Sequence, residues 1–364
     1  MKDPYTRVPA TVRSVLQTLQ RHGHEAVVVG GCVRDLILDR TPKDWDITTS
    51  ALPAQVIALF SKVIPTGLKH GTVTVLIHGE PIEITTYRAD ADYFDGGQSQ
   101  TVRPGVTLRE DLSRRDFTMN AIALDPIAQK IIDPFDGVSA IEERRISAVG
   151  SALDRLAEDG LRAMRALRFM ATLGFMVDEE VLSAISARRP HLAKVSVERF
   201  RDELLKLLAA ERPQAALELA QRTGALGLFL PELDAAVGCA QNRHHRYDVW
   251  RHTLVAVENT VGDSIRRLGA LLHDVGKPRT QAPYDDRPGE YSFLKHELCG
   301  AEIASDIAER LKLSTEQKQR VVGMVEHHMF AADPDQKSAS LRRFLRRVGL
   351  ELVPDLLALR IGDI

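Results

Sequence analysis

Cysteine is scarce in this chain of 364 residues: there are three, Cys32, Cys239 and Cys299, far apart in sequence. No C-x-x-C pair occurs, which excludes a disulfide framework or a cysteine zinc site and fits a reducing cytoplasm. Long apolar runs are also missing. Stretches such as AVVVGG (26–31) or AIAL (121–124) fall far short of the ~20 residues that a membrane span needs. The N-terminal segment MKDPYTRVPA has no apolar core of an export signal, so a cytoplasmic protein is expected. Neither sign of charge dominates: 48 Lys and Arg face 50 Asp and Glu, a net charge of −2. That excludes a protein that grips nucleic acid by bulk basicity, and any such contact has to come from a local patch. No internal repeat or low-complexity tract is visible. With 44% hydrophobic and 27% charged residues the composition is that of an ordinary folded protein.

At ~100–200 residues per domain, two or three domains are expected. Three units are predicted. A small α+β head spans 1–140, a helical body spans 141–235, and a second helical, His-rich unit spans 236–364, with a boundary near Pro231–Gln241. In the head, Glu25–Val29 reads as a buried strand. Thr72–Ile77 and Ile82–Arg88 read as a hairpin around His78–Pro81, and Ala121–Leu124 with Lys130–Ile132 as another strand pair. From about Ile141 onward the periodicity is almost entirely helical.

The head carries a candidate metal and phosphate site. Val27–Asp35 reads as a strand, a Gly30-Gly31 turn and a helix start. Glycines let backbone approach a phosphate closely, and a helix N-terminus offers it free N–H donors. A glycine pair alone is better read as a plain tight turn. Lys43–Ile47 reads as a short strand, which places Asp44 and Asp46 side by side on one face. Paired carboxylates suit Mg²⁺, which also takes substrate phosphates, and two such ions can activate a hydroxyl and stabilise departing pyrophosphate. The bland alternative is a solvated acidic turn. Glu83 alternates with apolar neighbours and is either a third carboxylate of the site or a solvent-facing strand residue. Around Arg114–Asn120, Leu108, Leu112, Met119 and Ile122 form a buried stripe. Arg114, Arg115 and Asp116 fall off it, and arginine forks suit phosphate oxygens.

A set of motifs follows in order: Gly30-Gly31-x-Val33-Arg34-Asp35, Lys43-Asp44-x-Asp46, Arg114-Arg115-Asp116-Phe117-Thr118-x-Asn120-Ala121, Asp133-Pro134-Phe135-Asp136-Gly137 and Glu158-Asp159-x-x-Arg162. Over about residues 25–205 the chain resembles the bacterial tRNA nucleotidyltransferase and poly(A) polymerase family, the class II branch of the polymerase-β-like superfamily. The resemblance implies that Asp44 and Asp46 bind catalytic Mg²⁺ and that Gly30, Gly31 and Arg34 contact the triphosphate. It implies that Arg115, Asp116 and Asn120 hold sugar and phosphates. It also implies that CMP, CMP and AMP, from CTP and ATP, are joined to a tRNA 3′ end without a nucleic-acid template.

The segment from about Asp154 to Leu173 is expected to be one helix with Asp159, Arg162, Arg165 and Arg168 on one side. An exposed ion pair there contributes a few tenths of a kcal/mol. The sharper reading is base selection. Cytosine and adenine pair an amino donor with a ring-nitrogen acceptor, whereas a carboxylate only accepts and a guanidinium only donates. Asp159 beside Arg162 would match C or A and mismatch G or U. The loop Asp95–Gln100 lacks the basic residues usual in the family. Related enzymes without this loop add only the two C residues, so its presence favours A addition.

His252, His273-Asp274, His296, His327-His328 and Asp363 recur through the last helical stretch. A lone helical histidine is usually a core or surface residue, but imidazoles recurring with carboxylates suit Mn²⁺, Fe²⁺, Ni²⁺, Co²⁺ or Zn²⁺, and carboxylate with water allows Mg²⁺. This stretch resembles the HD phosphohydrolase superfamily, with His252, His273, Asp274 and Asp363 in its ligand positions. His296 and His327 would support a second metal or bind phosphate. The resemblance implies phosphatase and cyclic-phosphodiesterase activity at damaged RNA 3′ ends. The alternative is a degenerate HD fold that only docks tRNA. The chain stops one residue after Asp363, where family members usually continue, so a shortened tail is expected. Two other functions compete: an A-adding enzyme or poly(A) polymerase, and an RNA-binding HD phosphohydrolase with an inactive transferase.

Overall fold

The computed structural model describes residues 3–89, 105–242, 246–284, 287–330 and 338–363. The Asp95–Gln100 loop lies outside them. The chain divides into two compact units, 1–155 with 176–181, and 156–175 with 182–364.

The first unit is built on a seven-stranded mixed sheet. Its strands are β1 Ala26–Val29, β2 Asp46–Thr49, β3 Val63–Gly67, β4 Thr72–Ile77, β5 Glu80–Thr86, β6 Ala123–Asp125 and β7 Lys130–Ile132. Their order is β3-β4-β5-β2-β1-β6-β7. All of β1 is buried, as an unbroken apolar AVVV run requires of a central strand covered on both faces. The strand order places it between β2 and β6, so the Gly30-Gly31 turn that follows it sits mid-sheet. β2 and β5 pair in parallel, and the other neighbours are antiparallel. The β4–β5 turn is tighter than expected. Two residues, His78-Gly79, close it, so β5 begins at Glu80 and Pro81 lies opposite Leu76.

Two short pairings interrupt the expected run of helices after Ile141. Arg145–Ile146 pairs in parallel with Met176–Val177. Ala282–Tyr284 and Arg287–Ser292 form an antiparallel hairpin. The helix expected from Asp154 to Leu173 is in fact two, Ala152–Glu158 and Leu161–Leu173. Asp159 causes the break: its Oδ1 accepts the Leu161 N–H at 3.1 Å and starts a fresh helix.

In the second unit, helices Val249–Asn259, Ser264–Leu272, His296–Arg310, Thr315–His327 and Val353–Asp363 pack around a core that includes Leu254, Leu268, Leu271, Ile307, Met324 and Leu359. Helix Val353–Asp363 lies tight against helix Val249–Asn259. A Cβ at Gly362 would meet Thr260 Oγ1 at 2.4 Å and Ala256 O at 2.9 Å, so only glycine permits the approach. At the other end of that helix, buried Asp355 binds Arg266 and Arg320, each at 2.8 Å. Among the described residues no helix is long and apolar enough to cross a membrane.

Candidate active site and metal centre

In the head, the glycine turn, one carboxylate and one arginine meet at a point. Gly30 has φ +87°, and a Cβ there would lie 2.8 Å from Arg115 Nη1 and 3.9 Å from Asp46 Oδ2. Asp46 opens β2, and Glu83 is its register partner on β5, which puts the two carboxylates side by side. Asp44 does not share that strand as expected. It lies in a bend two residues before Asp46, because β2 pairing begins only at Asp46. It is nonetheless within electrostatic reach. Burial raises the Asp46 pKa, Arg115 opposes this, and Asp44 raises it further. Glu83 is raised by burial and by Asp46 and Asp44, with Arg88 opposing. These carboxylates repel one another in the folded protein. An all-oxygen donor set with that repulsion fits a hard divalent cation such as Mg²⁺, which neutralises it.

Arg34, Asn120 and Asp116 form a buried chain beside the turn. Arg34 Nη1 donates to Asn120 Oδ1 at 2.7 Å, and Asn120 Nδ2 donates to Asp116 Oδ1 at 3.0 Å. Asp116 Oδ1 also takes the Phe117 N–H at 2.8 Å. Thus Gly30, Gly31, Arg34, Arg115, Asp116 and Asn120 come together around the turn. Asp111, missed in the sequence, holds the arginines. Its fully buried carboxylate binds Arg114 Nη2 at 2.9 Å and lies 3.8 Å from Arg115 Nη2. The i,i+3 and i,i+4 spacings could have found it. Cys32 is packing only: its Sγ contacts Val29 O at 3.2 Å, and burial pushes the thiol up to about 12.

Gly30→Ala tests the geometry of the turn. The left-handed backbone and the close Arg115 contact together predict a destabilisation of about 1–3 kcal/mol and a raised KM for nucleotide, read by thermal melting and steady-state kinetics. Wild-type values for both would show that the turn tolerates a side chain.

In the second unit the supposed base readers are tied up differently from the expectation. Arg162 Nη1 pairs with Glu158 Oε2 at 2.6 Å rather than with Asp159. Asp159 is gripped by Arg199, whose Nη2 and Nη1 donate to its two oxygens at 2.7 and 3.3 Å. Arg165 lies 5.5 Å from the Phe169 ring centre. Arg168 is anchored to buried Glu203 at 2.5 Å and stacks 3.9 Å over the same ring. Arg199 has no sequence signal, since it lies 40 residues from Asp159.

The imidazoles and carboxylates of the last helices converge. His252, His273 and Asp363 form one group whose donor atoms lie within 4.8 Å of each other, and Asp274, His296 and His328 form a second. Asp363 Oδ1 lies 2.9 Å from His252 Nε2 and 3.4 Å from His273 Nε2. Asp274 joins the groups, with Oδ2 3.2 Å from His273 Nε2 and Oδ1 3.4 Å from His296 Nε2. The second group takes His328, not His327 as expected. Nδ1 of His273, His296 and His328 lies 2.7, 2.9 and 2.7 Å from the carbonyl oxygens of Ala270, Phe293 and Val325. A carbonyl has no proton to give, so in the neutral ring Nδ1 carries the proton and Nε2 is left with its lone pair for a metal. Each carbonyl belongs to the residue three positions earlier. Which of two adjacent histidines finds such a partner depends on where the helix stops, and helix Thr315–His327 leaves His328 at its cap.

The charges of this cluster also call for a cation. Burial alone would lower His273, but the Asp274 and Asp363 carboxylates raise it to about 10. Burial would raise Asp274, but His273, His296 and Lys277 hold it well below the carboxylate range. His328 is lowered to about 4 by burial, with the charge on His273 adding. The histidine proton takes the place that a divalent ion would fill between the two carboxylates. Lys277, also missed in the sequence, touches Asp274 Oδ2 at 2.6 Å and donates to Gln241 Oε1 at 2.8 Å. The nitrogen-and-oxygen donor set fits a first-row transition ion such as Ni²⁺ or Mn²⁺.

Comparison with known proteins finds relatives for each part of the chain. Residues 26–147 match the poly A polymerase head domain, 174–237 the "probable RNA and SrmB- binding site of polymerase A", and 249–359 the HD domain. The CCA-adding enzyme of Geobacillus kaustophilus is 49% identical over 237 residues, 65% of this chain and 57% of that protein. The Bacillus cytotoxicus enzyme is 50% identical over 195 residues, 54% of this chain and 49% of that protein. The chain therefore spans about half the length of these curated relatives. A solved structure of the Bacillus stearothermophilus CCA-adding enzyme in complex with CTP is 32% identical, with a TM-score of 0.73. That match covers 100% of this chain and 78% of that one. A Thermotoga maritima CCA-adding enzyme complexed with tRNA shares the fold at a TM-score of 0.64 and 19% identity.

Proposed function

This chain belongs to the family of CCA-adding enzymes, and we propose that it adds CMP, CMP and AMP from CTP and ATP to the 3′ end of tRNA. The carrying observation is the juxtaposition of Asp46, its neighbour Glu83 and Arg115 at the Gly30 turn. Asp44, Asp46 and Glu83 would hold Mg²⁺, which supplies activation of the attacking 3′-hydroxyl and neutralises the leaving pyrophosphate. The buried Arg34–Asn120–Asp116 chain orients the nucleotide, and Arg115 meets phosphate charge with a planar fork. As the 3′-oxygen bonds to the α-phosphorus and the bond to pyrophosphate breaks, the hydroxyl proton passes to solvent water, and positioning and charge neutralisation lower the barrier.

Asp159 and Arg162 select the base. In the free protein Arg199 occupies the acceptor that a C or A amino group would use, and Glu158 holds Arg162 in place. Binding of C or A exchanges these ion pairs for base edges, whereas G or U leaves polar groups unpaired at ~1–3 kcal/mol each. The test offers tRNA lacking CCA, tRNA ending in C-C and an unrelated RNA with each NTP singly and in pairs, with products resolved to single nucleotides. Arg162→Ala is expected to lose about 10–100-fold of its CTP-over-UTP preference. Wild-type selectivity in that variant would remove the base-reading assignment, and A-only incorporation by the wild type would favour the A-adding alternative.

The imidazole–carboxylate cluster supports a second activity of the same protein, hydrolysis of phosphate esters at RNA 3′ ends. His252, His273, Asp274 and Asp363 would hold a transition ion, with His296 and His328 beside Asp274 placed for a second. An ion held there would supply Lewis-acid activation of water for ester hydrolysis. His273, His296 and, beside them, Lys277 keep Asp274 ionised.

A further inference from the structure

The helix Ser338–Val348 carries Arg342, Arg343, Arg346 and Arg347 and no acidic residue. At about 100° per residue these guanidiniums fan over one side, and Leu341, Phe344, Leu345 and Val348 occupy the other. All four arginines are exposed, and among the described residues none pairs with a carboxylate. Their contacts are one bond from Arg342 Nε to Ser338 O at 3.3 Å and the placing of Arg347 5.9 Å from the Phe344 ring centre. Arginines elsewhere in this unit, such as Arg310 and Arg320, are committed to Glu232 and Asp355. Four charges with no carboxylate partner among the described residues stand out on one helix of a chain whose net charge is −2.

The apolar side faces protein. Phe344 stacks on Phe330 with ring centres 5.2 Å apart, and Leu345 and Val348 are half-buried. Phe330 lies two residues beyond His328 of the metal cluster, so the helix is seated at the border of that cluster. A helix that lies on a membrane needs its whole apolar face free, and here Phe344, Leu345 and Val348 are half-buried while only Leu341 is exposed. The arginine side fits a polyanion instead.

We propose that helix Ser338–Val348 is a docking surface for the phosphodiester backbone of RNA, holding a strand whose 3′ end is offered to the neighbouring imidazole–carboxylate cluster. The surface lies outside both candidate active sites, and its role in feeding the cluster rests on the RNA 3′-end reading above. The guanidiniums hold phosphates by charge and fork geometry, and the stacked Phe344 and Phe330 rings with Arg347 beside them offer a platform on which a base can stack.

The test uses the full chain with R342Q/R343Q/R346Q/R347Q and with the matching four Arg→Lys changes. The probe is a tRNA ending in a 3′-phosphate. Its Kd is measured over about 50–200 mM salt, and vesicles containing phosphatidylserine serve as a second probe. Each phosphate contact contributes ~0.7–0.9 to the slope of log K against log salt. With all four arginines on phosphates, the Gln variant is therefore expected to lose about 3 to 3.5 units of slope and on the order of 10–100-fold in affinity, with KM for 3′-phosphate removal raised and kcat kept. The Lys variant retains the slope, which a merely structural role of the helix would not predict. A pairwise R342Q/R346Q variant with wild-type melting should show about half the change in slope. An unchanged Kd and slope in the four-Gln protein overturns the proposal, as does loss of vesicle binding with RNA affinity kept. If the wild type removes no 3′-phosphate, the binding measurement still decides the docking surface, and the hydrolytic reading fails separately.

Discussion

Asp46→Asn is expected to cut nucleotide incorporation by on the order of 10³-fold or more, equivalent to about 4 kcal/mol of transition-state stabilisation. The same change is expected to leave the melting temperature at or above that of the wild type. Both signs follow from one fact. The Asp46 pKa is raised because burial and Asp44 disfavour its charge while Arg115 only partly compensates. A charge that the fold disfavours is kept for what it binds, so its removal relieves the fold and disables the site. Single-nucleotide gels with tRNA and CTP measure the first effect and thermal melting the second. Retained incorporation would falsify the metal assignment. A drop of many degrees would instead mark Asp46 as a structural residue, leaving the polymerising reading without its central group.

The second large effect concerns the other cluster. Adding Ni²⁺ or Mn²⁺ at about 100 times its Kd is expected to stabilise the protein by about 2.7 kcal/mol. A chelator reverses this, and His273→Ala or Asp274→Asn abolishes it together with release of phosphate from a 3′-phosphorylated RNA. The metal-free His273 is protonated at neutral pH, since its pKa is raised to about 10. Metal has to displace that proton, so affinity rises with pH below about 10, by about tenfold per pH unit for one proton released. Isothermal titration in buffers of different ionisation enthalpy counts the proton directly. Affinity independent of pH from 6.5 to 8.5 would show that the metal does not enter at His273. The double variant Asp274→Asn with Asp363→Asn separates metal loss from collapse. It removes two of the carboxylates that would hold the ion, so it is expected to lose metal binding, although His273 is then no longer held charged, while its far-ultraviolet spectrum is kept.

The order of the head motifs, the buried β1 and the strand pairs around it were legible because each rests on local chemistry. An unbroken apolar run is buried, Gly30 alone accepts its backbone angle, and Asp, Arg and His are recognisable in any context. Local spacing failed where pairing partners decide the outcome. Spacing makes Asp44 a strand neighbour of Asp46, but strand pairing begins two residues later, at Asp46. The helix across Asp159 was read as continuous, but the Asp159 carboxylate caps its own successor.

The sequence by itself determined which chemical groups this protein possesses: the oxygen ligands of the head, the imidazoles of the last helices, and the family to which their order points. Only the tertiary structure decided which groups meet. It joined Asp46 to Glu83 across a parallel strand pair, gave Asp159 to Arg199 and Arg162 to Glu158, chose His328 over His327, and left four arginines of helix Ser338–Val348 with no carboxylate partner among the described residues. The physical reason is that side-chain identity is local, whereas ion pairs, metal shells and register are contacts between segments far apart in the chain, set by packing that no single stretch of residues contains.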